Sequence, residues 1–84
     1  GDDLTIVEGI GPKAAEALVA AGIDTFAKLA SVSAEEVKAV LDASTSKVQH
    51  LDPTTWAQQA QLAADGKMDE LKKLQDELNG GKAV

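Results

Sequence analysis

The residues best suited to chemistry form a short glycine-rich turn, Gly9-Ile10-Gly11, which is followed at once by Pro12 and Lys13. Glycine adopts backbone angles that a Cβ atom would penalise, so this segment can turn sharply. Pro12 suits the first position of a helix, because its missing N–H has no helical partner there. A turn that exposes backbone N–H groups at a helix N-terminus suits a phosphate oxygen, and Lys13 would stand beside that oxygen as a point charge.

The rest of the sequence shows no catalytic or metal-binding pattern. His50 is the only histidine, and we interpret it as a loop residue because Leu51 and Asp52 complete no ligand spacing with it. Pairs of acidic residues fall at expected helix starts, where negative charge favours the helix dipole. The sequence also lacks a P-loop, a dinucleotide fingerprint and a calcium loop. It therefore predicts no enzyme activity, no cofactor and no metal ion.

Length and composition indicate one small domain. The chain has 84 residues and no cysteine, so neither a disulfide nor a thiolate metal site can stabilise it. The lack of cysteine fits a reducing cytoplasm. No segment is apolar and long enough to span a membrane, and no signal-peptide pattern opens the sequence. We expect a soluble, cytoplasmic monomer.

The charge balance argues against a general nucleic-acid binder. The formal net charge is −6, and all 8 basic residues are lysines. Phosphate and base recognition usually depend on arginine, and nucleic-acid binders usually present a basic face. The two aromatic residues, Phe26 and Trp56, are too few for a base-stacking platform. We interpret Trp56 as a core anchor, with contact to a partner as the alternative, since tryptophan is enriched at interaction hot spots.

Helix signals recur in the first half of the chain, whereas the alternation typical of strands is missing. Within 4–21, a first short helix can be capped by Asp2 or Asp3. A second helix is predicted over 13–21, with Gly22 placed just after its end.

The segment 23–43 is predicted to hold two further short helices. Thr25 can cap the first of them. Ser33 and Glu36 have the spacing of a capping box, which predicts the start of the second.

A C-terminal helical pair is predicted over 52–79, after a polar loop at 44–51. Asp52-Pro53 indicates a helix start, because it combines an N-cap with proline at the first helical position. Gly66 is expected to end this helix, and a last helix over 67–78 is expected to end before Gly80-Gly81.

Periodicity divides the side chains into a predicted core and polar positions that we expect to vary without harm to that core. The predicted core consists of Ile6, Ile10, Leu18, Ile23, Phe26, Leu29, Val37, Val40, Leu41, Trp56, Leu71, Leu74 and Leu78, and Met68 is also expected to face inward. The tolerant polar positions are Thr54, Gln58, Gln59 and Gln61.

The segment 4–18, with sequence LTIVEGIGPKAAEAL, resembles the helix-hairpin-helix motif. It has an apolar short helix, a Gly-apolar-Gly hairpin and a second helix whose small residues, Ala14 and Ala17, allow the two helices to approach closely. The continuation at 21–30 resembles a frequent extension of the same superfamily. The resemblance implies an all-α fold, in which one helix-hairpin-helix pair and further short helices close a single core.

The same resemblance implies a role for the hairpin. In this family the hairpin grips the nucleic-acid backbone without reading sequence, and in some members its carbonyls hold a monovalent cation. The residues that would bind phosphate here are Gly9, Gly11 and Lys13, with Ile10 as the structural plug between the helices. The sequence departs from basic versions of the motif, because Glu8 and Glu16 lie near its one lysine.

The whole chain is also similar to a small helical domain that some bacteria append to large-subunit ribosomal proteins or to other housekeeping proteins. The stretches 52–60, 63–71 and 74–78 carry this wider likeness. It implies an accessory domain close to RNA or to another macromolecule, without catalytic activity.

We therefore expect a single compact all-α domain of five or six short helices, and two hypotheses for its function. The first is a non-catalytic interaction module of a bacterial housekeeping or ribosome-associated protein, which contacts a protein or ribonucleoprotein partner. The alternative is a sequence-independent nucleic-acid backbone binder that uses the Gly-Ile-Gly hairpin. The two differ in salt dependence, since phosphate contacts weaken steeply as salt rises.

Overall fold

The computed structural model of the protein describes residues 1–78, and this part contains helices and turns but no strand. A 3-10 helix at Leu4–Ile6 precedes five α-helices, which are α1 (Pro12–Ala20), α2 (Phe26–Ala30), α3 (Ala34–Ala43), α4 (Trp56–Ala64) and α5 (Met68–Asp76). The predicted all-α domain of five or six short helices is confirmed. The expected stop at Gly80-Gly81 lies outside the described residues.

Glycine ends two of the helices in the predicted way. Gly22 follows α1 with a φ of 87°, and Gly66 follows α4 with a φ of 72°. After α1 the N–H of Ile23 donates to the carbonyl of Leu18 at 2.9 Å, which is the long hydrogen bond of a Schellman motif. At the end of α4 the N–H of Lys67 donates to the carbonyl of Leu62 at 2.9 Å, which is the same long hydrogen bond. Each motif satisfies carbonyls that the helix end would leave without partners.

Side-chain caps start the two middle helices as predicted. The hydroxyl of Thr25 accepts the N–H of Lys28 at 3.1 Å, at the start of α2. At the start of α3, the Ser33 hydroxyl accepts the N–H of Glu36 at 3.1 Å, and the Glu36 carboxylate accepts the N–H of Ser33 at 3.2 Å. A cap of this kind contributes about 1 kcal/mol to stability.

Helix α4 begins three residues later than the Asp52-Pro53 pattern predicts, at Trp56. The Asp52 carboxylate accepts the N–H of Thr54 at 3.0 Å, and the Pro53 carbonyl accepts the N–H of Trp56 at 3.2 Å. These bonds form a local turn, which is a common alternative to helix for aspartate. Asp52 therefore satisfies the backbone ahead of the helix, while Thr55 occupies its N-cap position.

The N-terminal residues tie the chain start to the α1–α2 connection. The N–H of Asp2 donates to the carbonyl of Asp24 at 2.9 Å, and the Asp2 carboxylate accepts the N–H of Phe26 at 2.8 Å. Asp3 is the residue that caps the 3-10 helix, through the N–H of Thr5 at 3.0 Å. Hydrogen bonds from the hydroxyl and the backbone of Thr5 lower the pKa of the Asp3 carboxyl.

One hydrophobic core holds the helices together. Its most extensive packing lies between α2 and α4, and α1 packs against both α3 and the 3-10 helix, while α5 packs on α4. Burying one large apolar side chain contributes about 1.5–3 kcal/mol. The buried hydrophobic residues are Leu4, Val7, Ile10, Ala14, Leu18, Ile23, Leu29, Val37, Leu41, Val48, Trp56, Ala60 and Leu71.

The predicted core is wrong at Ile6, whose side chain is 37% exposed. The 3-10 helix has about three residues per turn, so residues three apart lie over one another. Leu4 and Val7 therefore share the buried face, and both are 1% exposed. Ile6, one residue before Val7, lies off this face.

The prediction that Met68 faces inward is also wrong, because its side chain is 49% exposed. Residues 64–70 are all exposed, so the first turn of α5 extends past the core. Burial begins at Leu71, while Leu74 and Leu78 are half-buried. Phe26 and Val40, both predicted as core, are half-buried against it.

Candidate interaction hairpin

The hairpin joins the 3-10 helix to α1 and depends on one glycine for its shape. Gly9 has a φ of 105°, which a residue with a Cβ atom rarely adopts. The N–H of Ile10 then donates back to the carbonyl of Val7 at 3.1 Å. Ile10 is 4% exposed and belongs to the hydrophobic core, as a residue that packs between the two helices would.

Gly11 lies at the N-cap of α1 and has ordinary extended angles, with a φ of −91° and a ψ of −177°. A Cβ atom added to Gly11 would meet nothing within 4 Å. Its N–H makes no hydrogen bond within residues 1–78. The described part of the fold therefore gives no steric reason for glycine at this position, in contrast to Gly9.

A buried glutamine from α4 holds the hairpin backbone in place. Gln59 is 0% exposed, and its amide oxygen accepts the N–H of Glu8 at 2.6 Å. Its amide nitrogen donates to the carbonyl of Glu8 at 3.0 Å and to the hydroxyl of Thr55 at 3.2 Å. One side chain thus satisfies both backbone polar groups of one hairpin residue, across 51 positions of sequence.

Helix α5 adds a second glutamine to this arrangement. The amide nitrogen of Gln75 donates to the carbonyl of Ile6 at 2.8 Å and to the amide oxygen of Gln59 at 3.0 Å. The two glutamine side chains and the hairpin backbone form one hydrogen-bonded network, which links α4 and α5 to the backbone at 6–8. Connected networks of this kind rigidify a structure when every member is satisfied.

Neither glutamine was predicted from the sequence as a contact of the hairpin, and Gln59 was expected to vary without harm to the core. Its spacing carried a usable signal, because Trp56, Gln59 and Ala60 lie at i, i+3 and i+4 on one helix face. A polar residue on a face that is otherwise apolar must be buried with partners or disturb the core. No comparable signal marks Gln75.

The charged residues of the motif itself are mostly acidic. Lys13 is the one lysine within the motif at 4–18, and its ammonium lies 3.8 Å from the Glu16 carboxylate. Both side chains are well exposed, at 73% and 69%, so this pair is screened by water and contributes little stability. Glu8 is also exposed beside the turn. The hairpin thus combines a well-ordered backbone with a surface that two carboxylates dominate.

With this geometry established, a family model described as "RS2/RL21/YNQ2 HHH domain" matches residues 4–64. The chain belongs to this helix-hairpin-helix (HHH) domain family. The matched range contains the hairpin and Gln59 but ends before α5. Gln75 therefore reaches the hairpin of this HHH domain from outside the region that defines the family.

The relatives of this HHH domain include several copies of one ribosomal protein. "Large ribosomal subunit protein bL21" of Ruegeria pomeroyi is 45% identical over 65 residues, which cover 77% of this chain and 30% of that protein. The bL21 of Ruegeria sp. is 42% identical and covers 77% of this chain and 29% of its own length. The bL21 of Chelativorans sp. is 36% identical, and the match covers 75% of this chain and 28% of that protein. No solved structure matches the chain significantly.

The chain spans about 30% of the length of the curated relatives it matches. The predicted resemblance to a helical domain of large-subunit ribosomal proteins is confirmed by these matches.

The other two residues singled out from the sequence, Trp56 and His50, differ in exposure. Trp56 of the HHH domain is 1% exposed, so it offers no indole surface to a partner, and its Nε1 has no hydrogen-bond partner within the described residues. His50 is exposed in a turn before α4.

Within residues 1–78, no three His, Cys, Asp or Glu side chains are grouped to hold a metal ion. No helix in that range is long and apolar enough to cross a membrane.

Proposed function

We propose that this HHH domain is a non-catalytic interaction module of a ribosome-associated or other bacterial housekeeping protein. It acts in the cytoplasm as a monomer and contacts a protein or ribonucleoprotein partner. The relatives named as ribosomal proteins support this proposal, as does the small share of their length that the match covers. That share fits an accessory domain that is carried beside a separate ribosomal part.

The observation that carries the proposal is the contrast between backbone order and surface charge at the hairpin. Gln59 and Gln75 hold the hairpin rigid, which lowers the conformational cost of binding. Its single lysine is offset by Glu16, with Glu8 nearby. Non-specific nucleic-acid affinity comes mainly from phosphate contacts by basic side chains, and one offset lysine supplies little of it. A rigid, acidic surface favours a protein contact.

Sedimentation with purified ribosomal subunits tests this function. The large subunits come from a Ruegeria pomeroyi strain whose bL21 lacks the region of 65 residues that matches this chain, which leaves the corresponding site open. We expect the chain to pellet with these subunits in a saturable manner. Small subunits from the same strain are the control. Failure to pellet, or equal pelleting with both subunits, contradicts the proposal.

Gly11 favours the second candidate function, which is binding to a nucleic-acid backbone. Its open Cβ direction and unbonded N–H would allow a phosphate oxygen to approach the N-terminus of α1 closely. In that case Gly9, Gly11 and Lys13 form the phosphate contact. Binding of this kind falls steeply with rising salt, whereas an apolar protein contact hardly responds.

A further inference from the structure

An open groove separates α3 from the segment 51–54 that leads into α4. Its volume is about 620 Å³, within the range of about 300–1,000 Å³ that ligand pockets occupy. On the α3 side the groove follows Ala34, Lys38 and Asp42, which lie four residues apart on one helix face. No residue of the hairpin or of α1 lines it. The groove is therefore a surface separate from the hairpin.

The floor of the groove is apolar. Leu51 is half-buried and Pro53 is buried on one side, while Ala34 and Ala39 supply small side chains on the other. Small residues on α3 leave room above the helix for a side chain that comes from outside. Covering such a floor with one large apolar side chain contributes about 1.5–3 kcal/mol.

The rim of the groove is acidic. Glu35, Asp42 and Asp52 place three carboxylates around it, against the single ammonium of Lys38. That ammonium lies 3.3 Å from the Asp42 carboxylate and also donates to the carbonyl of Gln49. The rim therefore keeps an excess of negative charge, which acts over a range of about 8 Å at physiological ionic strength.

We propose that this groove binds a basic peptide segment of a partner protein, with one apolar anchor on the floor and flanking Lys or Arg side chains at the rim. This inference rests on the proposed interaction function, because it names the surface and the chemistry of the partner. The same charges disfavour the other occupants. Nucleic-acid phosphates would be repelled by the rim, and a second copy of the chain would bring a formal net charge of −6.

Three capped hexapeptides test the groove by amide chemical-shift titration of the full chain. KRLLKR carries both basic and apolar features, EDLLED reverses the charge, and KRSSKR removes the apolar anchor. We expect KRLLKR to shift the amides around Ala39 and Leu51 in a saturable way. The other two peptides should bind at least about 10-fold more weakly, since each lacks one part of the recognition.

Paired variants assign the effect to the rim and the floor. Neutralising the rim with Glu35→Gln and Asp42→Asn should weaken KRLLKR binding about 5-fold, as expected for two exposed charge contacts. Asp69 and Glu70 lie in the first turn of α5 and do not line the groove, so neutralising them is the control and should leave binding unchanged. Ala39→Gln should block the floor, and Ala64→Gln at the exposed end of α4 is its control.

Three outcomes overturn the inference: no shift at millimolar KRLLKR, equal affinity for EDLLED, or shifts confined to the hairpin. The sedimentation assay separates this failure from failure of the proposed function. If the chain pellets with large subunits but does not bind the peptide, the interaction function is supported and the groove is not the contact surface. If it binds the peptide but does not pellet, the groove stands as a peptide site and the ribosomal association fails.

Discussion

The side-chain amide of Gln59 makes two hydrogen bonds to the backbone of Glu8. Its oxygen accepts the N–H of Glu8 at 2.6 Å, and its nitrogen donates to the carbonyl of Glu8 at 3.0 Å. Gln59 lies in the middle of α4, while Glu8 lies in the turn before α1. Helix α4 therefore holds the backbone of the hairpin directly through this side chain.

We expect Gln59→Leu to lower the free energy of unfolding by about 1–3 kcal/mol, because it leaves both polar groups of Glu8 without their partner. Gln58→Leu is the matched control, since it makes the same change at the exposed neighbouring position. Its effect should stay within about 0.5 kcal/mol. Urea denaturation followed by circular dichroism measures both. Equal destabilisation of the two variants would show that Gln59 does not hold the hairpin.

The two hairpin glycines should respond in opposite ways to the same substitution. Gly9→Ser forces a side chain into a φ of 105° and should cost about 1–3 kcal/mol. Gly11→Ser has open space for its Cβ atom and provides a preferred N-cap for α1, so its stability should be unchanged or slightly raised. Thermal unfolding compares them. A stability loss at Gly11 as large as that at Gly9 would contradict the geometry described here.

Gln75 should couple α5 to the hairpin. Gln75→Ala removes the donor to the carbonyl of Ile6 and should reduce stability by about 0.5–1.5 kcal/mol. Amide hydrogen exchange at 6–10 should become faster as well. Gln61→Ala is the control, because Gln61 donates only to the exposed Asp65 carboxylate in α4. The coupling is refuted if exchange at 6–10 is the same in the two variants.

Acid should remove a small stabilising contribution from Asp24. The hydrogen bond from the Lys28 ammonium, at 2.9 Å, and the charge of that ammonium lower the pKa of the Asp24 carboxyl. The pKa of Asp24 is therefore lower in the folded state than in the unfolded state. The carboxylate stabilises the fold fully at pH values above the unfolded pKa, and this stabilisation is lost as the pH falls through the folded pKa.

Replacing the lysine tests this assignment. Lys28→Met should return the pKa of Asp24 toward its ordinary value in an NMR titration of the side-chain carboxyl. Lys47→Met changes the net charge equally at an exposed loop position and should leave that pKa low. An equal rise in both variants would mean that overall charge, rather than the Lys28 contact, sets the pKa.

The local parts of this fold were predictable because their causes lie within a few residues of sequence. The capping box at Ser33, the C-terminal glycines Gly22 and Gly66 and the hairpin turn at Gly9 each follow from neighbouring backbone geometry. The helix-hairpin-helix resemblance then indicated how the first two helices pair.

The errors arose where a periodicity was misjudged or where the cause was tertiary. Ile6 was predicted as core, but the three-residue repeat of the 3-10 helix buries Leu4 and Val7 instead. The loop at 44–51 is indeed not helical, but Val48 within it is 3% exposed and belongs to the core. The partner of Gln75 is a carbonyl 69 positions away, and no local pattern can reveal such a contact.

The proposed function predicts that this domain recognises a protein surface rather than bare phosphate. The most direct test is to record amide chemical shifts on adding short RNA and DNA duplexes, first at low salt and then at higher salt. We predict that the amides of Gly9, Gly11 and Lys13 stay still even at low salt, because one offset lysine attracts phosphate weakly. Shifts at these three amides that fade as salt rises, and that Gly11→Ser abolishes without loss of stability, would contradict the account and establish the hairpin as a phosphate clamp.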